Sequence, residues 1–219
     1  MILHSSFFIL LMLPPDIPIF PLPNVVLFPN VFLPLHIFEL RYRAMIADAI
    51  EGDRLVGMVL QRPDQQTDAF GNPSVYPIGC AGLITHVETL DDGRYNIILR
   101  GLEKFRVEAE IEATDGCPYR RARVEPIDEP LSEAVRTRLH QDRSRLEALL
   151  GSEAPRIAGT TISDADLVNA LAQYLDLEIV ERQALLEREG LAARCQALID
   201  LLEMKMISAR HGFSPTRAH

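Results

Sequence analysis

The stretch from residue 17 to residue 42, IPIFPLPNVVLFPNVFLPLHIFELRY, decides how this chain folds. Prolines stand at 18, 21, 23, 29 and 34, and phenylalanines at 20, 28, 32 and 38. Proline fixes its own φ and has no N–H to give to a ladder, so the stretch excludes a helix. The residues between the prolines are mostly apolar, with β-branched and aromatic side chains, which suits short strands joined by rigid, extended links. The pattern predicts strands at 17–20 and 31–38, with an ordered connection through Pro21, Pro23 and Pro29.

Beyond this stretch the periodicity changes. Residues 39–50 take a helical period, with Tyr42, Met45, Ile46 and Ala49 on one face and Gly52 at the end. LVGMVL at 55–60 is a short apolar run that reads as a buried strand. Residues 61–77 are polar and carry Pro63, Gly71, Pro73 and Pro77, the composition of a loop. Runs at 83–90 and 94–100 flank Asp91-Asp92-Gly93, a hairpin turn signal. Gly101 is expected to break the second run, after which 103–111 and 119–124 alternate. Six strands with one inserted helix suggest a small, closed or nearly closed barrel.

After Pro126 and Pro130 the periodic segments are helical, at 131–150, from a capping box at Ser163 to Asp166 onward, at 178–189 and at 191–209. The chain is therefore expected to be α+β. A β-rich domain would span 14–126 and a helical bundle 127–210, with extensions at 1–13 and 211–219.

The opening stretch, continued through Met45, resembles the start of the Lon protease amino-terminal (substrate-binding) domain family. That family opens with a Pro-Leu-Phe-Pro-Leu element, a Leu-Phe-Pro-Gly turn and an Ile-Phe-Glu-x-Arg-Tyr run. Asn30 stands where the family places glycine, and asparagine is the next-best residue for a left-handed turn. Residues 79–105, GCAGLITHVETLDDGRYNIILRGLEKF, resemble the family's central hairpin and the strand after it. The likeness runs from about 17 to 204. It implies a PUA-like β pseudobarrel followed by a C-terminal helical bundle. It also implies a non-catalytic module that recognises unfolded or damaged polypeptide in the cytoplasm, in a stand-alone form without the ATPase and peptidase parts. No Gly-Lys dipeptide or GxSxG elbow occurs, and the lysines are Lys104 and Lys205 alone. No catalytic residue, cofactor or metal is assigned.

Composition describes an ordinary soluble protein. Formal net charge is −9 over 219 residues. Acidic residues outnumber basic ones on both sides of residue 126, which argues against a protein held to duplex phosphates. Cys80, Cys117 and Cys195 have no paired spacing and read as thiols in a reducing cytosol. The apolar run at 7–13 has no basic residue before it and Pro14-Pro15 after it, so it reads as a packed or dispensable extension. It is too short to span a membrane.

Phe28, Phe32 and Leu33, with Phe38 nearby, are more apolar bulk than so small a barrel needs. Rimmed by the loop carrying Phe70 and Tyr76, they form the candidate peptide-binding surface. Core packing is the competing role for each, and sequence leaves the choice open. An RNA-binding module is the alternative, using Arg120, Arg121, Arg123, Arg138 and Arg145, with Arg136 and Arg143 completing two rows on the first helix after Pro130. An adaptor docking on a protease or another folded partner is a further alternative. His36 and Glu39 beside Arg41 read as a structural pair, and His86 and Glu88 as a solvated sheet face.

Overall fold

In a computed structural model, residues 13–63, 67, 72–112, 116–151 and 162–210 are described. They form β1 (Asp16–Leu22), β2 (Phe32–Ile37), α1 (Leu40–Glu51), β3 (Leu55–Leu60), β4 (Ile78–Thr89), β5 (Tyr95–Ile111) and β6 (Arg121–Ile127). Four helices follow: α2 (Glu133–Leu150), α3 (Asp164–Tyr174), α4 (Ile179–Leu186) and α5 (Leu191–Arg210).

β1 carries two prolines in the middle of the sheet, and the pairing explains how. Val124 N donates to the Pro15 carbonyl at 2.7 Å and Ile19 N to the Arg120 carbonyl at 2.9 Å, so the odd-numbered residues of β1 face β6. Pro18 faces the other way, ahead of the parallel β3 ladder that begins at Ile19. Pro21 faces the β6 side, beyond the last β6 partner at Pro18. Each missing N–H thus points where no ladder bond is required.

The sheet order is β2-β5-β4-β3-β1-β6, and β6 also pairs with β5 from Lys104 to Ile111, so the pairings return to β5. β5 runs unbroken through Gly101, contrary to the expected break. A side chain there would sit 2.0 Å from the Phe28 carbonyl oxygen. The glycine admits the 28–31 segment instead, with Gly101 N donating to Val31 O and Asn30 N to Gly101 O, both at 2.9 Å. Asn30 makes that turn at φ 59°. β4 likewise begins at Ile78, earlier than the predicted 83.

α1 buries Tyr42, Met45, Ile46 and Ala49 against Phe20, Ile37, Met58 and Leu99. The four later helices share one apolar cluster with Val26, Phe28, Val31, Leu60 and Ile78 of the β-rich part. Ser132 and Ser163 cap α2 and α3 by accepting from Val135 N and Asp166 N. Two polar devices fasten the helices to the sheet. Gln173 Oε1 accepts from Phe28 N at 3.2 Å while its Nε2 donates to Val26 O at 2.9 Å, mimicking a strand partner. Glu129 accepts from Arg194 Nη2 at 2.7 Å and lies 2.8 Å from Lys104 Nζ, with both cations buried.

Candidate functional site: the exposed face of β2

β2 stands at the end of the sheet order and has β5 as its strand neighbour. Its alternation turns Leu33, Leu35 and Ile37 inward and leaves Phe32, Pro34 and His36 exposed. The chain then passes through Phe38 and Leu40 into α1. Phe32 is 51% exposed, Phe38 62% and Leu40 76%, so an apolar strip runs along one border of the molecule. The Phe38 ring stacks on His36 with centroids 6.2 Å apart.

Across the strip the β5 partners are Arg100, Ile98 and Asn96, opposite Phe32, Pro34 and His36. The His36 Nδ1–H donates to Asn96 Oδ1 at 2.7 Å, and its Nε2 accepts from Arg94 Nη1 at 3.3 Å, an assignment that the two partners impose. Asn96 Nδ2 donates in turn to Glu88 at 2.7 Å. His36 therefore pairs across strands and not with Glu39, which takes Arg41 at 2.9 Å. The result is an apolar strip with a polar rim, and a shallow groove of about 400 Å³ lined by Pro34, His36, His86 and Ile98 among others.

A larger open cleft of about 540 Å³ lies beside Phe32, between the 30–32 segment and α3. Asn30, Val31, Phe32, Arg100, Ile162, Asp166, Ala170 and Tyr174 line it. The Tyr174 hydroxyl donates to the Phe32 carbonyl at 2.8 Å, and burial raises the Tyr174 pKa.

The structure redistributes the expected peptide-binding residues. Phe28 is 0% exposed and belongs to the core shared with the helices, so it is removed from the surface set. Leu33 is half-buried against the sheet core. Tyr76 packs half-buried on the helical cluster with the Arg62 guanidinium 5.0 Å from its ring centroid. Phe70 lies outside the described residues. Of the expected residues that are described, Phe32 alone stands openly on the strip; Leu40, where the chain enters α1, is not among them. Its position off the Tyr42–Met45–Ile46 face is a signal the helical period contains.

The arginine rows are largely internally neutralised. Arg120 forks onto Glu110, Arg123 lies 3.1 Å from Asp16, Arg138 2.8 Å from Asp142 and Arg145 2.6 Å from Glu203. Arg143 bridges Glu147 and Asp164, Arg136 donates to the Leu131 carbonyl, and Arg121 is exposed on β6. Among the described residues no cluster of His, Cys, Asp and Glu suited to a metal ion occurs. The three cysteines are free, and burial pushes the Cys195 thiol up to about 12. No described helix is long and apolar enough to cross a membrane.

The model of the ATP-dependent protease La (LON) substrate-binding domain matches residues 16–204. "Lon protease 2" of Myxococcus xanthus is 30% identical over 202 residues, covering 88% of this chain and 24% of that protein. "Lon protease 2" of Syntrophobacter fumaroxidans is 32% identical over 182 residues, covering 80% and 22%. The chain thus spans about a quarter of the length of these curated relatives. Two solved structures share the fold. The N-terminal domain of Mycobacterium avium complex Lon protease superposes with a TM-score of 0.65 at 19% identity, covering 86% of this chain and 98% of that one. The Lon N-terminal domain protein from Xanthomonas campestris gives 0.58 at 24% identity, covering 84% and 97%.

Proposed function

Because the chain belongs to the ATP-dependent protease La (LON) substrate-binding domain family, we propose that it is a non-catalytic module that recognises unfolded or extended polypeptide through the β2 strip. The observation that carries this reading is the run of large apolar side chains, Phe32, Phe38 and Leu40, each more than half exposed on one border. Exposed apolar surface rimmed by polar groups is the form a polypeptide-binding site takes. The pairings that return to β5 through β6 support reading residues 14–126 as a PUA-like pseudobarrel, with the helical unit of 127–210 docked on it. Unpaired thiols suit a cytoplasmic setting.

Side chains, not strand addition, would make most of the contact. Pro34 offers no N–H at the open edge, and the Phe32 carbonyl is already taken by Tyr174. The paired arginines weigh against the RNA-binding alternative.

Fluorescence anisotropy tests the reading. A labelled peptide rich in Phe and Leu is titrated against the full chain at low and moderate salt, with single-stranded RNA as comparison. Saturable, salt-tolerant peptide binding with RNA ignored is expected. RNA binding lost steeply with salt would overturn the proposal.

A further inference from the structure

We propose that the cleft between Phe32 and Tyr174 takes the free C-terminus of a polypeptide ending in an apolar residue, with Arg100 holding the terminal carboxylate. This rests on the polypeptide-recognition reading and narrows it from any apolar segment to a chain end.

The charge arrangement points there. Arg100 sits directly opposite Phe32 in the β2–β5 register and lines the cleft. Among the described residues it makes no ion pair. Its one side-chain hydrogen bond among them, 3.1 Å from Nη2 to Asn30 Oδ1, is to a neutral amide. Arg120, Arg123, Arg138, Arg143 and Arg145 each meet a carboxylate instead. The acid of the cleft, Asp166, is occupied. It accepts from the Ser163 hydroxyl at 2.7 Å and lies in the first turn of α3, where the helix end favours a negative charge.

A guanidinium with spare N–H groups beside apolar side chains matches a planar carboxylate, which it engages by two parallel hydrogen bonds. Val31, Ile162, Ala170 and the Tyr174 ring supply the apolar wall for the last side chain. The volume of about 540 Å³ falls within the range of small-ligand sites, roughly 300–1,000 Å³. An internal peptide segment brings no main-chain carboxylate to Arg100. A chain end does.

The test uses the full chain and one labelled peptide ending in Leu-Phe, prepared as free acid and as C-terminal amide. The acid is expected to bind about tenfold more tightly than the amide, the scale of one charge-assisted contact. The difference should vanish in Arg100→Gln and persist in part in Arg100→Lys, with urea midpoints confirming that both variants fold. Equal binding of acid and amide to the native chain, with both weakened by Phe38→Ser, would overturn the chain-end assignment and leave the strip standing. Loss of acid and amide affinity in equal measure on Arg100→Gln would overturn it as well. Failure of both peptides to bind the native chain would remove both readings.

Discussion

The Tyr174 hydroxyl donates to the Phe32 carbonyl across 2.8 Å, tying the last turn of α3 to the open edge of β2. Together with Pro34, this contact takes up part of the edge that a further strand would need, in keeping with the proposal that side chains make the contact. A Tyr174→Phe variant removes the hydroxyl alone. It should lower stability by about 0.5–1.5 kcal/mol, the net worth of one hydrogen bond, read as a shift of the urea midpoint at unchanged slope.

Among the described residues Glu129 is the one carboxylate paired with two buried cations. Arg194 is 0% exposed and Lys104 2%. Glu129→Gln leaves both charges buried without an anion, and a loss of about 3–5 kcal/mol is expected. Lys104→Met keeps the Arg194–Glu129 pair intact and should cost clearly less. Urea denaturation of the two variants side by side checks the order.

Gln173 satisfies two buried main-chain groups, Phe28 N–H and Val26 C=O, from across the helix–sheet interface. Truncation to alanine strands both. A loss of about 2–4 kcal/mol is expected from two unsatisfied groups. Gln173→Glu should fare little better, because its carboxylate has no donor for the Val26 carbonyl.

Glu103 gives a pH signature. Burial first, and the neighbouring Asp128 second, raise its pKa above the ordinary 4.5. The folded state then holds the proton more tightly than the unfolded one, so this contribution is complete below 4.5 and is lost as pH rises through the folded value. Glu103→Gln removes the burden. Its melting temperature should exceed that of the native chain at pH 7, with the gap closing towards pH 4.

Most of the strands follow from local signals: prolines that forbid helix, alternation from 103 to 111, and Asp-Asp-Gly at the hairpin, where Gly93 takes φ 76°. Gly101 misled because a glycine that ends a strand and one that admits a crossing segment look alike in sequence. Phe28 misled for a related reason. Its burial comes from helices that arrive more than a hundred residues later, as Gln173 on its amide shows. Arg194 gave no signal, since its partners Glu129 and Asn169 lie 65 and 25 residues away. The arginine rows on α2 were legible as rows. Their partners on α3 and α5 were not, because charge pairing between helices depends on packing angles that spacing does not contain. The strip is half legible: Phe32 and Phe38 stand out by excess, whereas Leu40 shows only as a residue off the buried face of α1.

The most direct measurement is the affinity of a Phe- and Leu-rich peptide for the Phe32→Ser/Phe38→Ser double variant, beside the native chain at equal fold stability. Both side chains are already more than half exposed, so their loss leaves the core intact. Recognition through the strip requires affinity to fall at least tenfold, since burying one such ring contributes about 1.5–3 kcal/mol. Native affinity in the double variant would contradict it and move the site elsewhere on the molecule.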